Sequence, residues 1–292
     1  MDINNNSYCY HFTEINFESG VFDETIDCTY IIHLIDNGRL QHIYNEINKI
    51  STTKKIIIVM NKGYKKCKKK LIEQQTYQDL TDAFLQCLKD AKSKGYKNIL
   101  ILEDDFIFDN KLMNRHHINN INKFIKTKND EYVYFIGFIP IIIYPSIDLH
   151  TINVVKSLTM HSVIYSEKII QNYEKLDLSY KHWDIIIEKN IKNKYAYYIP
   201  LCYQLFPETE NKKTWSEKDN NDIVNKIKNI VIQFFNMDKT PYNGFMFCYF
   251  FAYFLFVFFF IFLLCLITNI IKYIIKSVDK NVVKNVVKHK KK

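Results

Sequence analysis

The sequence predicts an α/β protein, a mixed, mainly parallel sheet flanked by helices, with one transmembrane helix at the C-terminal end. Three observations lead there. Short apolar runs rich in Ile and Val alternate with segments of helical periodicity. The apolar run 98–102 ends in three consecutive carboxylates, Glu103-Asp104-Asp105, at the point where a buried strand of an open sheet meets solvent and holds its ligands. Residues 245–267 contain no charged or strongly polar side chain.

In chain order, residues 1–27 read as an N-terminal extension, 28–35 as a buried strand, 39–50 as a helix and 55–60 as a second strand closed by Asn61-Lys62-Gly63. Residues 76–94 place Leu80, Ala83, Phe84, Leu88 and Ala91 at helical spacing, with Thr76 or Asp79 as N-cap and Gly95 as the stop. The acidic strand follows. Residues 111–128 read as a helix and 131–138 as a strand, and a loop is expected around Pro140 and Pro145. The organisation is then an α/β domain at 28–215, a stem or linker at 216–243 (the stretch 208–221 is rich in charge and Asn), a membrane span at 244–271 and a Lys-rich tail at 272–292.

Charge and cysteine content bound the function. The net charge is +9, but eight lysines lie beyond residue 271, so the rest is near neutral and no nucleic-acid partner is expected. Arg occurs only at Arg39 and Arg115, while Lys, Asn and Ile abound, a bias that an AT-rich coding sequence explains. The seven cysteines are scattered, form no C-x-x-C pair and read as reduced, buried thiols.

As a helix, the apolar run would extend about 34 Å, enough to cross a hydrocarbon core of about 30 Å. Beyond it, Lys272, Lys276, Lys280, Lys284 and Lys288 recur every four residues, with Ile and Val between them. An amphipathic helix on an anionic lipid surface fits this pattern, each lysine contributing about 1 kcal/mol; a solvated tail is the alternative, since Val is a weak helix former. The first residues show no leader pattern, which favours a cytosolic domain with a C-terminal anchor. The lysines point the other way, because the positive-inside rule would make the tail cytosolic. A single sequon at Asn5 does not decide between them. The cytosolic, tail-anchored placement is the expectation.

Three adjacent carboxylates raise one another's pKa and are poor for stability alone, but they suit a divalent cation. The block from Thr81-Asp82-Ala83-Phe84 through Ile99-Leu100-Ile101-Leu102-Glu103-Asp104-Asp105-Phe106 resembles the helix, strand and EDD signature of family 25, lipopolysaccharide-type glycosyltransferases. Tyr132-Val133-Tyr134-Phe135-Ile136-Gly137 is similar to the family's next strand, and Thr159 to Ser166 to its stretch near the acceptor. His182-Trp183-Asp184 stands where the family often has an acidic residue, and Tyr198-Ile199-Pro200-Leu201-Cys202-Tyr203-Gln204 is like its late proline-glutamine segment. The family's Asn-Leu-x-x-Arg pattern has only a looser counterpart, His33-Leu34-Ile35-Asp36-Asn37-Gly38-Arg39.

The resemblance implies a GT-A fold, Mn²⁺ or Mg²⁺, a nucleotide-sugar donor and a hydroxyl acceptor on a glycan, protein or lipid. On this chain it makes Asp105 the direct metal ligand, and it puts Glu103 beside the metal or the donor ribose. Asp104 is counted with Glu103 as cofactor-binding, although the strand pleat should turn it the other way. His161 could complete the metal shell. Asp184 is the candidate general base; its competing reading is a helix N-terminal carboxylate. His33 reads as a satisfied core histidine, and His116-His117 as an exposed helix face. A degenerate family member acting as a membrane binding module is the alternative. A Mg²⁺-dependent phosphohydrolase or nucleotidyltransferase is disfavoured, since no Gly-rich phosphate loop accompanies the triplet.

Overall fold

A computed structural model describes residues 3–205, 230, 232–237, 239 and 242–289. The chain divides into two compact units, Met1–Tyr249 and Phe250–Lys292. The linker-like stretch 208–221 and the last three lysines lie outside the described residues.

In the first unit the strands are β1 (Tyr10–Asn16), β2 (Cys28–Leu34), β3 (Lys55–Asn61), β4 (Ile99–Glu103), β5 (Phe106–Phe108), β6 (Tyr132–Pro145), β7 (Thr151–Tyr165), β8 (Asn193–Tyr197) and β9 (Cys202–Gln204). Seven of them form one sheet in the order β1-β3-β2-β4-β7-β6-β8, and β5 pairs with β9 in a small second sheet. β3, β2 and β4 are parallel neighbours, whereas β7 runs antiparallel to both β4 and β6. The result is the mixed sheet that the alternating pattern predicts.

The central strands are buried on both faces, which is why they read as continuous Ile/Val runs. On one face, Ile31, Ile56, Ile58, Leu100 and Leu102 join the core with Ile43 and Ile47 of α1 (Leu40–Lys49) and with Ile121 and Phe124 of α3 (Arg115–Thr127). Alternate residues face α2 (Thr76–Ser93), where the Tyr30 hydroxyl donates to Asp90 Oδ2 at 2.6 Å. Two shorter helices, α4 (Glu167–Asn172) and α5 (Trp183–Asn190), pack with α2.

Three expectations change. Within the 1–27 stretch that reads as an extension, residues 10–16 form the edge strand β1 in full antiparallel register with β3, half-exposed as an alternating strand should be. The expected loop around Pro140 to Pro145 is strand: β6 continues to Pro145, with register shifts on both sides of the Gly137–Ile142 segment. Such irregularities accommodate a residue without an N–H.

The third correction concerns the thiols. Cys9 and Cys67 form a disulfide with a Cα–Cα distance of 5.7 Å, joining residues 58 apart in sequence. Cys28, Cys87 and Cys202 are free and buried, as expected. Beside the disulfide, the buried Lys69 ammonium donates to Asp79 Oδ1, Asn61 Oδ1 and the Tyr10 hydroxyl, while Asp82 accepts from Tyr10 and Asn6. This network fastens the N-terminal segment and the loop after β3 onto α2. Sequence periodicity gives no sign of it, because its members look like ordinary surface residues.

The helix α6 (Asn243–His289) contains a stretch, Asn243–Lys276, long and apolar enough to cross a membrane. Large apolar side chains such as Phe250, Phe254 and Leu263 are exposed along it.

Candidate active site

The acidic triplet sits where β4 turns into β5, at the carboxyl end of the parallel strands. β5 is held on two sides. One edge pairs with β9, Phe106 opposite Gln204 and Phe108 opposite Cys202. From the other side come His42, Glu46 and Lys49 of α1, one helical face by their spacing. His42 Nε2 lies 2.7 Å from the Phe106 carbonyl, Glu46 accepts from Phe108 N–H at 2.8 Å and Lys49 donates to the Phe108 carbonyl at 3.0 Å.

The three carboxylates have separate surroundings. Asp104, named above with the cofactor-binding residues, is instead engaged by the protein. Arg39 Nη1 forms an ion pair with Oδ1, while Oδ2 accepts from Asn37 and the Leu34 N–H and contacts His33 Nδ1 at 3.0 Å. These partners outweigh the penalty of burial and hold its pKa below the ordinary value. His33 is thus a satisfied core histidine, and the Asn37-Gly38-Arg39 turn, with Gly38 at φ +79°, wraps the carboxylate.

Asp105 is 3% exposed. Its Oδ2 accepts from Gln204 Nε2 at 3.1 Å, and its backbone carbonyl accepts from Leu205 N–H at 2.9 Å. Among the described residues, Asp105 Oδ1 and Gln204 Oε1 are buried side-chain oxygens without a hydrogen-bond partner. Burial first, and then the charge of Asp104, push the Asp105 carboxyl up to about 6. Glu103 is raised well above its usual range by burial, then by the charges of Asp105, Asp184 and Asp104. Asp184 therefore shares an electrostatic neighbourhood with the triplet although it is distant in sequence.

Asp184 is the second residue of α5, delivered there by α2. Gln78 and Thr81 of α2 donate to the Lys181 carbonyl at 2.7 and 3.0 Å, where Lys181 turns the chain at φ 67°. The His182 ring stacks on Tyr77 at 4.3 Å, and Trp183 stacks on Phe84 at 4.9 Å while donating to the Tyr165 hydroxyl at 2.8 Å.

His161 does not join a metal shell with Glu103 and Asp105. It is fully buried, its Nε2 lies 3.3 Å from the Cys202 carbonyl, and burial lowers its pKa to about 4. Among the described residues no three His, Cys, Asp or Glu side chains form a cation shell. Asp105 and the carboxamide of Gln204 present the oxygen atoms that could take a cation here. Hard oxygen donors with two orphaned acceptors fit Mn²⁺ or Mg²⁺. In sequence Gln204 is only the end of a late proline-glutamine segment; its place opposite Phe106 is what brings it to the site. His116 lies exposed on α3 as expected, whereas Nδ1 of His117 is 2.7 Å from the Tyr197 hydroxyl.

No protein-family model matches the chain, and no curated protein matches it. Among solved structures, the A197 protein from STIV aligns with 63% of this chain and 86% of its own at 13% identity and a TM-score of 0.37. A structure described as a glucose-1-phosphate thymidylyltransferase from Bacillus anthracis in complex with a sucrose aligns with 65% of this chain and 76% of its own, at 11% identity and a TM-score of 0.33. Likenesses at this level assign neither a family nor an activity.

Proposed function

We propose that this chain is a membrane-anchored glycosyltransferase that moves a sugar from a nucleotide-sugar donor to a hydroxyl of a glycan, protein or lipid. The observation that supports it most is the pair of unpartnered buried oxygens, Asp105 Oδ1 and Gln204 Oε1, beside Glu103 at the carboxyl end of β4.

Asp105 and Gln204 would hold Mn²⁺ or Mg²⁺, with Glu103 completing the set or meeting the donor ribose. When bound, such a cation neutralises charge that develops on a nucleoside diphosphate as it leaves. Asp104 takes no part in ligation; it fixes the turn at Asn37 and Arg39 and so sets the direction of its neighbours. Asp184, held by the stacked Trp183, accepts the proton of the attacking hydroxyl. The charge of Asp184 adds to burial and to the charge of Asp105 in raising the Glu103 carboxyl. The apolar helix anchors the enzyme, and the Lys-rich tail that follows it would lie on anionic lipid.

Calorimetric titration of the detergent-solubilised chain with UDP-, GDP- and CMP-sugars tests this reading. Donor binding that requires Mn²⁺ and is lost in Asp105→Asn is expected. Equal donor binding with and without the cation would remove the metal from the proposal.

A further inference from the structure

The Cys9–Cys67 disulfide bears on the compartment in which the unit Met1–Tyr249 folds. We infer that this unit lies in an oxidising, non-cytosolic compartment, where Cys9 and Cys67 are joined as a structural disulfide, and that the lysines after the membrane span remain on the cytosolic side.

The pairing is a product of the fold. Cys9 ends a 3-10 turn, Ile3–Cys9, that is independently bound to the loop after β3. Lys62 N–H donates to the Cys9 carbonyl at 3.1 Å, Lys70 N–H to Asn6 Oδ1 at 2.7 Å, and the Tyr8 hydroxyl to the Lys68 carbonyl. Cytosolic thiol buffers keep such pairs reduced, whereas secretory compartments and cell surfaces let them form and persist. Cys28 on β2, Cys87 on α2 and Cys202 on β9 are buried and their thiols are pushed up by that burial, so these three offer no competing partner.

Disulfide formation requires an oxidant of the thiol-disulfide oxidoreductase class. One cysteine thiolate attacks the oxidoreductase disulfide and expels one of its thiolates. The second cysteine then attacks the mixed disulfide, forming the Sγ–Sγ bond. Two electrons and two protons leave the pair and the oxidoreductase departs as a dithiol.

A second, independent observation agrees. Lys272, Lys276, Lys280 and Lys284 follow the apolar segment within the distance over which basic residues set orientation, and they retain the tail in the cytosol. With one candidate span among the described residues, what precedes it then lies on the opposite face. The cytosolic placement expected for the domain rested on the opening residues alone.

The test uses the full chain expressed in eukaryotic cells. Free thiols are trapped with N-ethylmaleimide before lysis; sealed microsomes are then treated with protease, with and without detergent. Protection of the first unit until detergent is added, together with a Cys9–Cys67 linked peptide by mass spectrometry, is expected. Digestion of that unit in sealed vesicles overturns the inference whatever the state of the cysteines. N-ethylmaleimide on both Cys9 and Cys67 overturns it as well.

Discussion

Gln204 donates one carboxamide N–H to Oδ2 of Asp105 at 3.1 Å, while the remaining oxygen of each side chain is buried without a partner. A buried acceptor left unsatisfied costs about 1–3 kcal/mol. Two of them on hydrogen-bonded side chains concentrate that cost at one strand end, and in the proposed reading a cation relieves it.

Asp105→Asn should raise the stability of the metal-free protein at neutral pH by on the order of 2 kcal/mol. The sign follows from the carboxyl, whose value is 3.8 in an unfolded chain and about 6 when folded. A raised folded value gives stability that is full below the unfolded value and is lost as pH rises through about 6. Urea unfolding between pH 4 and about 7.5 should show this loss in the wild type and not in the variant. Added Mn²⁺ should stabilise the wild type only, less so as pH falls below about 6, because the ligand must be ionised.

Asp104 has the opposite sign. Its folded value is depressed by His33, Arg39 and Asn37, so its contribution is present above 3.8 and lost as pH falls through the lower folded value. Asp104→Asn should flatten acid unfolding in that range. Arg39→Ala, which leaves the buried carboxylate short of its cation, should cost about 3–5 kcal/mol by chemical denaturation. Arg39→Lys should rescue little of it, since a single ammonium cannot reproduce the guanidinium geometry.

Gly137 marks a close approach that the donor set depends on. A Cβ there would lie 2.2 Å from the Cys202 carbonyl oxygen and 2.7 Å from His161 Nε2. Gly137→Ala should therefore push β9 away, lowering stability by about 1–3 kcal/mol. Because Gln204 is on β9, Mn²⁺ affinity measured by electron paramagnetic resonance should fall with it, more than in a core variant of equal stability such as Ile47→Val.

Much of the first unit was legible in the sequence, for physical reasons that also explain the gaps. β2, β3 and β4 carry local Ile/Val runs, and α2 has a helical repeat, so their type and place follow from short windows. The triplet stood out because three adjacent carboxylates at a strand end are costly. What brings Gln204 to Asp105 is a pairing between β5 and β9, strands of three residues each, nearly 100 positions apart. Neither has enough length to show a period. The edge strand β1 was missed for a related reason: half-exposed alternation with His11, Thr13 and Glu14 looks like surface chain until its partner β3 is known. Asp184 stands out by local resemblance, and the residue before it carries the long-range ties: Trp183 stacks on Phe84 of α2 and donates to the Tyr165 hydroxyl of β7.

Trp183→Phe keeps the stack on Phe84 and removes the bond to the Tyr165 hydroxyl. If Asp184 is the base, loosening its neighbour should lower kcat about 10-fold or more, with donor KM little changed. Asp184→Asn should lower kcat further and remove the acidic limb of the pH–rate profile. A variant that changed KM for the donor alone would instead put Asp184 at the nucleotide.

Removing the disulfide tests the N-terminal fastening separately from compartment. In the chain-entropy view a loop of this length contributes about 4 kcal/mol. Cys9→Ser and Cys67→Ser should each lower the unfolding free energy by that order in oxidising buffer, and neither should differ much from the wild type once the wild type is reduced.

The most direct measurement is release of nucleoside diphosphate or monophosphate from UDP-, GDP- and CMP-sugars by the purified full chain in detergent, with and without Mn²⁺, beside Asp105→Ala. Cation-dependent turnover of one donor class that disappears in the variant is the expected result. A folded protein that binds and turns over none of the donors, with Asp105→Ala indistinguishable from wild type, would contradict the glycosyltransferase reading.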